Sequence, residues 1–366
     1  MRHDYFQCSG ERGAVRGCLG DATVLRRVNL NMPRFRRCAF ALLAVASIVS
    51  VNMSRFAPRP PAPWHFLAHR GVHQTFALDG VNDDTCTATR IAAPTHPFIE
   101  NTLSAMRAAF EAGAEEIELD VHFSKDGVPM VFHDVTLDCR TNGTGAVEDH
   151  TVSELRSLDV GWGYTHDNGR TFPLRGTGIG LMPTLDAVFA EFSNRRLLIH
   201  FKTNRASDGD LVADRLARLS PTNRALISVY GGDVPSARVQ SRLPEVRAFT
   251  KQTVKTCLIE YGLVGWIGIM PCSCHNTRVV VPIDVATKLW GWPRRFEARL
   301  AAVGTDIILV GRGGEGHSIG MDDDALLAQV PDDFGGRVWT DQIETTSTKQ
   351  ASAKQRDSQQ KGTCGP

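Results

Sequence analysis

The sequence predicts an α/β fold, and three observations carry that prediction. Residues 116–134, E-I-E-L-D-V-H-F-S-K-D-G-V-P-M-V-F-H-D, read as two strands around a Lys125-Asp126-Gly127 turn. Just upstream, Leu103, Met106 and Phe110 make an i, i+3, i+7 stripe that starts behind Glu100-Asn101-Thr102 and stops at Gly113, the pattern of a capped amphipathic helix. Strand-like runs recur at 65–68, 196–203, 225–230, 246–250, 306–310 and 337–340, which with the pair above makes eight.

Composition agrees. A chain of 366 residues with 42% hydrophobic side chains can bury a full core, and a single α/β barrel takes about 250 residues. Forty-one basic residues against 40 acidic ones leave no net field, so nothing points to nucleic acid as a partner and any substrate has to be recognised locally.

The chemistry concentrates at strand ends. Glu118 and Asp120 are two apart on an apolar strand and so share a face. Paired carboxylates need either a hard divalent cation such as Mg²⁺ or Ca²⁺ between them, or ordinary salt-bridge partners; the stretch alone leaves both open. The second strand of the hairpin delivers His133 and Asp134. The run at 65–68 ends on His69 and Arg70, so two histidines can face one another, and Arg70 offers a planar fork to a phosphate oxygen. Gly71 would let the backbone pass close to a ligand.

In this order, His69-Arg70-Gly71, Glu100-Asn101-Thr102, Glu118-Leu119-Asp120 and Phe132-His133-Asp134 resemble the glycerophosphodiester phosphodiesterase family. The resemblance is dense from 65 to 159 and resumes at Met182-Pro183-Thr184-Leu185 and near Lys202. It implies a TIM (β/α)8 barrel that hydrolyses glycerophosphodiesters to an alcohol and glycerol phosphate. It further implies His69 and His133 as general acid and base, a divalent metal on Glu118 and Asp120, phosphate held by Arg70 and Lys202, and support from Glu100 and Asp134.

One position departs from the family pattern. Two residues before Lys202, where the family commonly places a metal-binding glutamate, this chain has His200. An imidazole suits Mg²⁺ or Ca²⁺ less well and favours Mn²⁺ or Zn²⁺. Two alternatives stay open: a phospholipase resembling sphingomyelinase D or lysophospholipase D, acting on a lysophospholipid, and a catalytically weak binding protein that keeps the fold.

Along the chain, residues 1–31 are polar and aperiodic, which predicts a non-globular segment, and Met32 is the start that an export signal would have. Residues 32–54 combine a basic stretch with an apolar run at 38–51, so a cleaved signal and a membrane anchor both fit, and membrane association would run through residues 38–54. Either way the following domain is exported, to the periplasm or another extracytoplasmic space. A Pro-rich linker spans 55–63, the barrel 64–345 and a disordered tail 346–366. The first βα loop, 72–98, is long, and residues 251–304 read as a long insertion between strands six and seven, with Trp290 and Trp292 in a packed lid or a membrane-contact surface. Cys86 and Cys139, each in a loop after a histidine-bearing strand, are expected to form a disulfide. Cys272, Cys274 and His275 give only a weak zinc signal, and 311–316 matches G-x-G-x-x-G without a following helix.

Overall fold

The computed structural model describes residues 34–60, 63–82, 85–312 and 319–348. Residues 1–33, the tail from 349, most of the 311–316 glycine motif and part of the 55–63 linker lie outside these. Eight parallel strands form the barrel: β1 His65–His69, β2 Ala114–Phe123, β4 Arg196–Phe201, β5 Ile227–Gly231, β6 Arg247–Phe249, β7 Arg278–Pro282, β8 Asp306–Val310 and β9 Arg337–Thr340. They pair in the order β6-β5-β4-β2-β1-β9-β8-β7. The two ends of that path meet where the Thr277 hydroxyl donates to the Ala248 carbonyl at 2.8 Å, so the barrel is nearly closed.

Strand periodicity sorts the side chains. On β2, Ile117, Leu119, Val121 and Phe123 face the helix layer and belong to the main core, while Glu116, Glu118 and Asp120 face the lumen, all buried. Leu67, Leu198, Phe249, Ile308 and Trp339 fill the middle of the lumen. Below them Arg278 and Glu116 pair in a buried bridge. The polar residues above them are at the C-terminal mouth, the face on which such barrels build their sites.

Two strand assignments made from sequence are wrong. The hairpin strand expected to be third in the barrel, β3 Pro129–Val131, folds back antiparallel on β2, pairing Val131 with Val121, and lies off the barrel path. The barrel strand missed is β7, sixth of the eight in chain order, which falls inside the stretch read as an insertion between strands six and seven. That stretch is a regular helix, Lys251–Val264, followed by a barrel strand. The error arose because R-V-V-V-P is short and follows a Cys-rich turn, whereas M-V-F leads directly to a histidine. Trp292 packs against Phe334 with ring centroids 5.3 Å apart, and Trp290 is half exposed.

The N-terminal helix Arg34–Asn52 exposes Phe40, Leu42 and Leu43. Among the described residues no helix is long and apolar enough to cross a membrane. Its end is docked on the barrel domain: Asn52 is buried, donates to the Trp266 carbonyl at 2.7 Å and meets Arg299, and Arg294 N–H donates to Ser54 at 3.0 Å. At the other end Thr346 is fully buried and bonded to Thr340 and Asp322, so the packed domain continues past residue 345.

Cys86 and Cys139 form a disulfide, as expected. A second, Cys257–Cys274, was not foreseen, and it removes Cys274 from any zinc site with Cys272 and His275. Peptide mapping without reduction is expected to recover both pairs. A Cys86→Ser, Cys139→Ser double variant is expected to lose about 2–4 kcal/mol in denaturant melts, because an unfolded-state constraint disappears; unchanged stability would show that the first loop is held without it.

Candidate active site

Each functional side chain comes from a strand end or the turn after it. Glu118 and Asp120 stand on β2, His200 on β4 and Tyr230 on β5. The ligand atoms of Glu118, Asp120 and His200 all lie within 4.8 Å of one another. His200 Nδ1 is 2.9 Å from Asp120 Oδ1 and 3.5 Å from Glu118 Oε1. Burial disfavours its charged form, but the bonds to Asp120 and Glu118 win, and its pKa is raised. The two buried carboxylates therefore favour the charged form of His200. Its ring stacks on Tyr230 with centroids 4.2 Å apart, and the close passage of Gly231 makes room: a Cβ there would meet His200 Cδ2 at 2.5 Å.

Asp120 is the most heavily engaged carboxylate. Asn101 Nδ2 donates to its Oδ2 at 3.0 Å, Arg70 Nε lies 3.1 Å from the same atom, and Lys202 Nζ is 3.7 Å from Oδ1. Burial pushes its pKa up, but Arg70, His133, Lys202 and His200 outweigh that and hold it well below the usual range. On Glu118, the Tyr230 hydroxyl donates to Oε1 at 2.7 Å. Its other oxygen, Oε2, is buried with no hydrogen-bond partner. An orphaned anionic oxygen beside a second carboxylate and an imidazole fits a divalent cation.

The two histidines flank this cluster, and each has its own carboxylate. His133 Nδ1 donates to Asp134 at 2.6 Å, and Lys202 Nζ lies 3.1 Å from His133 Nε2. Burial and then Arg70 lower the His133 pKa to about 4, so its ring is neutral near pH 7, with the proton on Nδ1. His69 Nδ1 is 2.6 Å from Asp341, and His69 Nε2 is 3.8 Å from Glu118 Oε2. His73 packs edge-on against His69. Its pKa is lowered to about 4, chiefly by burial, so it adds no charge beside His69.

Glu100 is held between two arginines. It accepts from Arg70 at 3.0 Å and from Arg140 at 2.9 Å, and Arg140 also donates to Asp134 at 2.9 Å. Burial raises the Glu100 pKa, but Arg140 and Arg70 outweigh it and hold it at about 2. One buried chain thus runs from Arg70 through Glu100 and Arg140 to the orienting carboxylate of His133. Gly71 has a different role from the one expected: with φ +80, a Cβ would meet the Ala105 carbonyl carbon at 2.8 Å, so the glycine lets the capped helix, not a ligand, approach.

The structure therefore brings together His69, Arg70, Glu100, Glu118, Asp120, His133, Asp134, His200 and Lys202. The sequence missed Asp341, Asn101, Tyr230 and Arg140. Asp341 directly follows the last strand and could have been found by asking which strand ends carry acids; Arg140 and Tyr230 carry no local signal.

A parallel α/β barrel with a buried polar cluster at its C-terminal mouth is the architecture of a TIM-barrel enzyme site. Residues 69–218 match the model of the Glycerophosphoryl diester phosphodiesterase family. The chain is 36% identical over 118 residues to human glycerophosphodiester phosphodiesterase 1, covering 32% of this chain and 34% of the relative. It is 40% identical over 111 residues to a putative glycerophosphodiester phosphodiesterase of Bacillus subtilis, covering 30% and 42%. These matches thus span less than half of either relative. The glycerophosphoryl diester phosphodiesterase domain of a Mycobacterium tuberculosis protein superposes with a TM-score of 0.55 at 18% identity, covering 79% of this chain and 100% of that one. An Oleispira antarctica phosphodiesterase solved with sn-glycerol-3-phosphate gives 0.50 at 16%, covering 82% and 98%. Both structures share the fold.

Proposed function

We propose that the protein is a metal-dependent phosphodiesterase that hydrolyses glycerophosphodiesters to an alcohol and glycerol phosphate. The observation that carries this reading is the pair of histidine–carboxylate couples, His69–Asp341 and His133–Asp134, set on either side of the Glu118–Asp120 cluster. Each carboxylate fixes Nδ1 of its histidine and turns Nε2 to the cluster, where that of His133 accepts from Lys202 at 3.1 Å until a phosphate oxygen takes the lysine. One Nε2 takes the proton from the nucleophile, the neighbouring glycerol hydroxyl or water, and the other returns a proton to the leaving alcohol. Lys202 and Arg70 hold phosphate oxygens. Glu118 Oε2, Asp120 and His200 would hold the cation, which when bound offsets charge on those oxygens.

A matrix of glycerophosphodiesters and a lysophospholipid against Mg²⁺, Ca²⁺, Mn²⁺ and Zn²⁺, assayed on the purified chain, tests the proposal. Turnover of a glycerophosphodiester with at least one ion is expected. Lysophospholipid turnover alone would favour the phospholipase alternative, and no turnover at all would leave a binding protein on this fold.

His200 sets the metal preference in this scheme, and it supplies a pH test. Its pKa is raised in the folded protein, so the stability it contributes is present below its unfolded value near 6.5 and is lost as pH rises through the folded value. An incoming cation displaces that proton, so metal affinity measured calorimetrically is expected to strengthen as pH rises through the same window. His200→Glu is expected to favour Mg²⁺ or Ca²⁺ over Mn²⁺ or Zn²⁺ relative to the parent. An unchanged preference would remove His200 from the ligand set.

We further propose that the domain works in an oxidising, extracytoplasmic space, which its two disulfides support. The exposed apolar side chains of helix Arg34–Asn52, with basic residues at its start, support association with a membrane surface.

A further inference from the structure

His73 is a buried imidazole to which the scheme above gives no role. Its Nδ1 has no hydrogen-bond partner among the described residues, whereas buried polar atoms are ordinarily bonded. The backbone on either side of it is anchored. Val72 N–H donates to the Ala105 carbonyl at 3.1 Å, and the Gln74 amide donates to the His96 and Phe98 carbonyls, each at 2.9 Å.

His73 stands beside His69 and Asp341. One ligand atom from each of the three lies within 4.8 Å of the other two. Two imidazoles on one tetrahedral ion, with metal–nitrogen bonds of about 2.1 Å, have ring centroids roughly 5 Å apart; those of His69 and His73 are 5.7 Å apart. Asp341 is set in place as well, since its Oδ2 accepts from the Gly320 N–H at 2.9 Å while Oδ1 meets His69. All three residues line a cavity of about 460 Å³ that extends under the first βα loop. An ion therefore has a way in, and a water has room to be its fourth ligand. Two nitrogens and one oxygen favour Zn²⁺ and other late first-row ions over Mg²⁺ or Ca²⁺. The group is distinct from Glu118, Asp120 and His200, whose donors are two oxygens and one nitrogen.

We propose that His69, His73 and Asp341 form a second, transition-metal site, and that an ion bound there inhibits the enzyme. The ion takes His69 Nδ1 in place of the hydrogen that this nitrogen offers to Asp341. That hydrogen passes through water to Nε2, which then has no lone pair with which to take a proton from a nucleophile. The inhibitory half rests on the phosphodiesterase reading; the binding half stands without it.

The binding test is calorimetric titration of the metal-free full chain with Zn²⁺. The parent is expected to show an equivalent that His73→Phe weakens by at least about tenfold, since even the loss of a group that only supports a ligand costs that much, and that His200→Ala leaves in place. Asp341→Asn is expected to weaken the same equivalent, which keeps the test decisive if His73→Phe fails to fold by circular dichroism. Zn²⁺ binding equal to the parent's in a folded His73→Phe protein, or in Asp341→Asn, would overturn the site, as would loss of all Zn²⁺ binding in His200→Ala. The activity test adds Zn²⁺ to enzyme already saturated with the ion that supports turnover. Inhibition of the parent is expected at the concentrations that fill the His73-dependent equivalent. His73→Phe, referred to its own uninhibited rate, is expected to need at least about tenfold more Zn²⁺. Equal inhibition of the two would overturn the inhibitory half and leave the phosphodiesterase reading standing. If no glycerophosphodiester is turned over with any ion, that reading fails and the inhibitory half with it, while calorimetry still decides the site.

Discussion

His69→Ala and His133→Ala are each expected to lower turnover at least about a hundredfold, the lower range for losing a general acid or base. The expectation comes from geometry more than from residue type. Histidines in a barrel mouth are often structural, but each of these spends Nδ1 on a carboxylate 2.6 Å away and turns Nε2 to the cluster, His69 toward Glu118 and His133 toward Lys202. For His133 the neutral ring, the Lys202 ammonium at 3.1 Å and the bond from Arg140 to Asp134 define one tautomer and one orientation. Replacing the orienting carboxylates should act in the same direction with the imidazoles still present, so Asp341→Asn and Asp134→Asn are expected to lower kcat while KM changes little. Steady-state kinetics at saturating metal, with circular dichroism to verify folding, is the measurement. Activity within a few-fold of the parent in a folded His69→Ala or His133→Ala protein would take that histidine out of the mechanism.

What the sequence revealed follows the reach of each physical signal. Alternation on β2 put Glu118 and Asp120 on one face because a strand's period is two and the lumen is a continuous surface; the structure adds that Glu116 continues the row to the opposite end, where it meets Arg278. The cap at Thr102 was equally legible, and its side chain accepts from Ala105 N–H as a local rule requires. Partners that come from far along the chain were invisible. Asp341 reaches His69 across 272 residues, Tyr230 reaches Glu118 across 112, and Arg140 reaches Glu100 across 40. Their positions depend on barrel closure, which no window of sequence contains. The exchange of β3 for β7 has the same origin, since a three-residue apolar run looks alike in a hairpin outside the barrel and in a strand within it.

Arg140 is where the largest stability effect is expected. Its guanidinium donates to Glu100, Asp134, Tyr164 and Thr87, and both it and Glu100 are almost fully buried. Removing one partner of such a network leaves uncompensated charge in the interior, so Arg140→Ala is expected to cost about 3–5 kcal/mol in chemical denaturation at pH 7. The pH dependence separates this cause from simple loss of packing. In the parent, Glu100 titrates at about 2, below its ordinary value of 4.5, and Asp134 is also depressed; the stability they contribute is present above the ordinary carboxylate range and is lost as pH falls through the folded values. Without Arg140 that depression is largely gone, so the variant loses less stability on acidification and the gap between the two proteins should narrow between about pH 5 and pH 2. A cavity left by a missing side chain would cost the same at every pH. An apolar replacement of the pair, Glu100→Leu with Arg140→Met, removes the uncompensated charge at Glu100 and is expected to be more stable than Arg140→Ala alone, while its turnover stays low because Arg70 and Asp134 have each lost a partner. If Arg140→Ala matched the parent at pH 7, or if its deficit were constant down to pH 2, the buried network would not be what holds the His133 side of the site in place.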